Sequence, residues 1–231
     1  MGAFSTVTEI LVIAVPVIIA ITFHEAAHGF VAWKLGDDTA HRLGRVTFNP
    51  IKHVDMFGTI LLPIVMWMTT NFIFGYAKPV PVDFARLRRP RRDMVLVAAA
   101  GPGINLALAL VSAVLLHFAA LLGGAAGEIV IFALKVSVFV NVLLAVFNML
   151  PLPPLDGGRV AVGLLPDALA RPLARLERWG LPIVIFVLLI VPEIAKQLGG
   201  SFSPFQSVIL PVVSFFIEMI STIAGIGAGL R

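Results

Sequence analysis

The chain has 231 residues, of which 59% are hydrophobic and 13% charged, with no cysteine and a formal net charge of +4. Its mean hydropathy of +1.00 lies far outside the range of a water-soluble domain, because so few charged residues cannot cover a core of this size. Lipid is therefore the expected solvent for most of the chain. Disulfides and thiolate metal sites are excluded, and the basic residues sit in short stretches between apolar runs, as the positive-inside rule requires, so no nucleic-acid partner is expected.

Runs long enough to cross a bilayer core of about 30 Å, which takes roughly 20 helical residues, occur near 7–33, 94–122, 129–150, 181–198 and 205–227. The first has no Lys or Arg before it and no small-residue cleavage site, so it reads as a retained helix rather than a leader peptide. Lys34, Arg42, Arg45 and Lys52 follow it, and Arg86, Arg88, Arg89, Arg91 and Arg92 precede the next long run, so both loops are expected on the cytoplasmic side. Between them lies an apolar run at 57–76, broken by Pro63, for which a re-entrant hairpin or interfacial element is expected rather than a crossing. The polar stretch 34–56 has room for a short strand pair around Gly44 to Phe48. The loop 119–128 has no basic residue and is expected outside, whereas 157–179, with Arg159, Arg171, Arg175 and Arg178, is expected inside. The last two runs then pair and return Arg231 to the inside. The expected fold class is an all-α polytopic membrane protein: a three-helix catalytic core with a re-entrant segment, and a C-terminal helix pair. It divides into a core at 1–160 and a cytoplasmic loop with the helix pair at 161–231.

The run His24-Glu25-Ala26-Ala27-His28 puts two imidazoles on one helix face, where both can reach one Zn²⁺ while Glu25 lies beside the open coordination position. Packing histidines satisfied by nearby backbone are the alternative, but three ionisable groups so close together in an apolar helix are costly and usually functional. A catalytic zinc site needs a third protein ligand. Asp156 is the best candidate, because it follows a helix stopped by Pro151, Pro153 and Pro154, where extended backbone can turn back into the protein. A plain helix end at the water interface would also explain it. Counting from Ile10 at 1.5 Å per residue puts His24 roughly 21 Å into the bilayer, in the inner-leaflet zone where the helix ending at Leu150 also arrives. Asn105, after Gly101-Pro102-Gly103, and Asn148 are polar amides in apolar spans. Either could donate to a developing oxyanion or hold an unwound substrate backbone, and either could equally bond across helices.

The HEAAH at 24–28, the GPGIN at 101–105 and the NMLPLPPLDG at 148–157 together resemble the site-2 protease family of intramembrane zinc metalloproteases, over roughly residues 7–160. The intervening NPIKHVDMFGT and GYAKPVPVDFARLRRPRRDM are similar to the short bacterial members that lack a periplasmic peptide-binding domain. The resemblance implies one Zn²⁺ on His24, His28 and Asp156, with Glu25 activating water. It also implies partners that are transmembrane protein substrates, the lipid bilayer and a regulatory membrane protein. The location is expected to be the cell membrane, with the site toward the cytoplasmic leaflet.

Two rivals make different demands. A membrane-anchored metalloprotease with a cytoplasm-facing site would take its third ligand from a later Glu, for which only Glu177 is loosely suitable. A metal transporter would show several ligand sets along a path. His53 and Asp55 could approach the site from the re-entrant segment, while His41 and His117 have no partner pattern.

Overall fold

A computed structural model describes residues 6–69 and 75–226; residues 70–74 of the expected hairpin, the end of the last apolar run and Arg231 lie outside that description. The chain folds into helices α1 (Thr6–Lys34), α2 (Thr39–Arg42), α3 (Leu62–Thr69), α4 (Pro90–Ala119), α5 (Gly124–Asn148), α6 (Asp156–Leu164), α7 (Asp167–Arg175), α8 (Glu177–Ile185), α9 (Val191–Gln197) and α10 (Leu210–Ala224). Wide π-type turns at Phe186–Ile190 and Phe205–Ile209 join α8 to α9 and lead into α10. Among the described residues, five stretches are long and apolar enough to cross a membrane: Thr8–Lys34, Pro90–Ala119, Gly124–Asn148, Glu177–Gln197 and Phe205–Ala224. The protein is a multi-pass, all-α membrane protein.

One local possibility is not realised. No strand forms among the described residues: Gly44 donates to His41 O at 3.0 Å and Arg45 to Ala40 O at 2.9 Å, so this backbone closes the α2 turn instead of offering itself to a ladder. The stretch 157–179, expected on the inner side, carries α6, α7 and the start of α8.

The segment between the two basic loops turns back on itself. Asp55 Oδ1 accepts from Phe57 N at 3.0 Å and Gly58 N at 2.7 Å, starting a π-type turn at Met56–Leu61 that runs on into α3. At 1.5 Å per residue the described part of this helix, Met56–Leu61 with α3, is about 21 Å long, short of the bilayer core. Tyr76 N then donates to Gly58 O at 3.0 Å, and Thr59 Oγ1 to Tyr76 O at 3.0 Å. The chain thus comes back to the level it left, as a re-entrant hairpin does.

Helix α4 is central. Its buried stripe of Gly101, Asn105, Ala109, Ser112, Ala113 and Leu116 is mostly small and repeats every three or four residues, which lets α1 and α5 approach closely. Ala109 and Ala113 pack with Val138 and Val142 of α5, with Val213 and Ile220 of α10 and with Ile209 of the turn before it. Polar ties fix the rest. His117 Nε2 donates to Ala224 O at 2.7 Å, holding the end of α10, and Arg91 bonds Asp167 Oδ1 at 2.7 Å and Gly163 O at 3.0 Å, holding α6 and α7 against α4.

Candidate metal centre

Helices α1, α4 and α6 meet at one buried point. His24 and His28, one turn apart on α1, are 7% and 9% exposed, and Asp156, the first residue of α6, is 7% exposed. Burial of all three this deep in an apolar bundle needs a compensating partner. The prolines between α5 and α6 explain how Asp156 arrives: they end α5 and leave Leu155 extended, so α6 starts beside α1 rather than continuing α5.

The hydrogen bonds behind the imidazoles set their tautomers. Asn105 Nδ2 donates to Ala20 O at 3.1 Å and to Asn141 Oδ1 at 2.8 Å, so the amide presents Oδ1, an acceptor, to His24 Nδ1 at 2.6 Å. His28 Nδ1 lies 2.7 Å from Val97 O, also an acceptor. Each ring therefore carries its proton on Nδ1 and turns the lone pair of Nε2 inward. The two Nε2 atoms lie 3.1 Å apart, and Asp156 Oδ2 lies 3.2 Å from one and 3.3 Å from the other. With no proton between them these are not hydrogen bonds, and Asp156 Oδ2 is buried with no donor. Three acceptors facing one another repel unless a cation joins them.

The spacing fits zinc. Donor atoms about 2.0–2.1 Å from a tetrahedral Zn²⁺ lie about 3.3 Å from one another, against the observed 3.1, 3.2 and 3.3 Å. Two imidazole nitrogens with one carboxylate oxygen are also a donor set zinc accepts, with a fourth position left open. Among the described residues this is the one group of three or more His, Asp or Glu side chains placed to hold a metal, so a transporter's succession of ligand sets is not present there. Glu177, the third ligand required by the cytoplasm-facing rival, instead pairs with Arg159 at 3.2 Å.

Glu25, between the two histidines in sequence, is half-buried, and its Oε2 accepts from the backbone N–H of Val80 at 2.8 Å. This contact brings in the irregular strap 75–83, the start of the GYAKPVPVDFARLRRPRRDM stretch, which lies over α1. Its far end is anchored on Asp37, which is wholly buried and accepts from Asp83 N at 2.7 Å, from Thr39 N at 3.0 Å and from the Thr39 hydroxyl. Burial pushes the Asp37 carboxyl up, but the Thr39 hydroxyl, the two backbone amides and the nearby Arg86 outweigh it and hold the group below the usual carboxylate range.

Of the other residues singled out, Asn105 stands behind His24 with its amide hydrogens on Ala20 O and Asn141 Oδ1. Asn148 is half-buried, and its amide bonds back to Leu144 O at 3.0 Å. His53 turns Nε2 to Thr47 O at 3.0 Å, Asp55 caps the hairpin, and His41 stacks on Trp33 with ring centroids 4.1 Å apart. Asn141 was not anticipated. It carries the polar chain from Asn105 to Ser137 O at 2.9 Å and, through the 2.8 Å contact of the Ser137 and Ser112 hydroxyls, to Ser112. Its signal is the one that marks Asn105, a lone amide in an apolar span.

Residues 119–191 match the family model described as Peptidase family M50, a stretch that contains Asn148 and Asp156. The chain is 40% identical over 186 residues to "Putative zinc metalloprotease YwhC" of Bacillus subtilis, covering 78% of this chain and 80% of that protein. It is 32% identical over 181 residues to "Putative zinc metalloprotease Rip2" of Mycolicibacterium smegmatis, covering 78% of this chain and 66% of that protein. The protein of the same name from Mycobacterium tuberculosis is 29% identical over 185 residues, 80% of this chain and 67% of that protein. No solved structure gives a significant match.

Proposed function

This chain belongs to peptidase family M50, the site-2 protease family, and we propose that this zinc metalloprotease cleaves the transmembrane segments of membrane proteins inside the bilayer. The observation that carries the reading is the convergence of His24 Nε2, His28 Nε2 and Asp156 Oδ2, all buried and all acceptors, within a bundle of helices apolar enough to span a membrane.

One Zn²⁺ per chain is assigned to these three atoms. Bound there, it acidifies a water and polarises the scissile carbonyl. Asn105 and the Val97 carbonyl hold the two rings in the tautomer that points Nε2 inward. Glu25 takes the proton from the attacking water and passes it to the leaving amine. Asn148, with half of its amide unengaged, is the residue proposed to donate to the carbonyl oxygen as negative charge develops. Substrate must unwind before attack, since the carbonyls of an intact helix are bonded within it. The basic loops after α1 and before α4 support a site toward the cytoplasmic leaflet of the cell membrane. A regulatory membrane protein that gates entry is the further partner proposed.

The test compares the wild-type chain with Glu25→Gln in detergent, measuring zinc per chain and cleavage of a model transmembrane segment. The expected result is unchanged zinc with cleavage lowered by about 10² or more. Normal cleavage by Glu25→Gln would overturn the mechanism, and loss of zinc would make Glu25 a ligand.

A further inference from the structure

Glu25 is held by a single peptide group, and that group is itself held from the other side. Val80 N donates to Glu25 Oε2 at 2.8 Å. The carbonyl of the same peptide unit belongs to Pro79, and Arg45 Nη2 approaches it at 3.4 Å while donating to the preceding carbonyl, Lys78 O, at 2.8 Å. A guanidinium on the carbonyl end and a carboxylate on the N–H end polarise one peptide in the same sense, and each bond strengthens the other.

The sequence around this peptide leaves it little freedom. Pro79 and Pro81 have no N–H, so Val80 supplies the only backbone donor in its tripeptide, and the residue before Pro81 is restricted to extended backbone. The Val80 side chain is 7% exposed and packs over Gly29, one turn after Glu25; a Cβ on Gly29 would lie 3.1 Å from Val80 Cγ1 and 3.0 Å from Val46 Cγ2. Glycine there lets the strap lie on the face of α1 that bears Glu25.

Arg45 has no other evident purpose. It is 8% exposed, no carboxylate pairs with it among the described residues, and its Nε is buried without a partner. Burying an unpaired guanidinium is expensive, and its only bonds here go to the strap beside the general base.

We infer that Arg45 and the Val80 amide are positioning groups for Glu25: Arg45 clamps the Lys78–Pro79 carbonyls, and the Val80 N–H, fixed by its flanking prolines, orients the Glu25 carboxylate. The inference rests on the assignment of Glu25 as general base. Fixing one oxygen of a side chain with three rotatable bonds narrows the orientations open to the other, so the arrangement is expected to act on turnover rather than on binding of substrate or metal.

The test uses the whole chain. In the metal-free protein, hydrogen exchange at the Val80 amide is expected to accelerate about tenfold or more in Glu25→Ala and in Arg45→Ala, as loss of a charge-assisted bond requires. In the zinc-loaded protein acting on a model transmembrane segment, Arg45→Ala is expected to lower kcat about tenfold with KM and zinc content little changed. Arg45→Lys, which keeps a cationic donor, should recover part of that loss. Val80→Ala and Val80→Pro both lose the packed valine side chain, but only the second also loses the N–H, in a stretch that Pro81 already restricts to extended backbone, so its kcat should fall about tenfold below that of Val80→Ala. This pair also decides the matter if Arg45→Ala does not fold. Equal kcat in Val80→Pro and Val80→Ala would overturn the inference. So would a kcat above wild type in Val80→Pro, which would make the contact an inhibitory latch. Unchanged Val80 exchange in Glu25→Ala would overturn it too, whatever the activity. If the wild-type chain shows no zinc-dependent cleavage, the protease reading fails by itself, and the exchange data alone decide whether Arg45 and Val80 hold Glu25.

Discussion

Gly101 gives the sharpest test of the metal centre, because its missing side chain is what the histidines occupy. A Cβ built on Gly101 lies 2.6 Å from both Nε2 and Cε1 of His24 and overlaps His28 Nε2. Carbon and nitrogen pack at roughly 3.5 Å, so alanine drives about 1 Å of overlap into both rings. They cannot easily retreat. His24 is tied to Asn105 and His28 to Val97 O, four residues to either side of Gly101 on the same helix, so moving a ring breaks its bond to α4. Ligand distances tolerate only about ±0.2 Å, and the displacement is several times that. Gly101→Ala is therefore expected to weaken zinc binding by about 10-fold to 100-fold and cleavage by about 10². Gly103 is the matched control, since nothing lies within 4 Å of a Cβ built there, and alanine favours a helix by about 0.8–1.0 kcal/mol over glycine. The assay is zinc per chain after dialysis against a chelator, with thermal unfolding in detergent measured on the same samples. If Gly101→Ala keeps zinc with wild-type affinity, then the Nε2 atoms do not hold the metal where the structure places them.

Asp156→Ala leaves a two-histidine remnant and should lose both zinc affinity and activity; cleavage at the wild-type rate would put the third ligand elsewhere. Single cysteines at Arg42 and Arg88, both exposed, should react with an impermeant reagent from one side of the membrane, and one at Gly124 from the other. Labelling of 42 and 88 from opposite sides would contradict the re-entrant hairpin. The Asp37 anchor predicts a pH dependence for the strap: a folded-state pKa below the unfolded value adds stability that is present above about pH 3.9 and is lost as pH falls through the lowered value. Exchange protection of Asp83 should then be steady at neutral pH and collapse in acid. Asp37→Asn should be looser at neutral pH and nearly flat in acid; an acid collapse as steep as in wild type would refute the anchor's role.

What could be read from sequence, and what could not, divides by whether a residue type carries the signal. The HEAAH pair is local, so helical periodicity alone puts both imidazoles on one face, and five apolar runs declare themselves by length. Asp156 was readable at long range because prolines stop a helix whatever surrounds it. Whether a strand pair forms at 44–48 was not legible, because brief alternation says nothing about a partner strand, and there Gly44 and Arg45 bond back to α2 instead. Gly101 and Gly103 look alike in sequence, yet only the first faces the histidines. Asn105 reads as a catalytic amide or a packing amide, and sequence spacing does not reveal that Asn141 takes one of its hydrogens. The donor to Glu25 is the least visible element of all. It is a backbone N–H, which nearly every residue has, and what singles out Val80 is that its two proline neighbours have none. A motif search weighs side chains, so a site that uses main-chain groups to aim its base shows in sequence only as the prolines that hold them still.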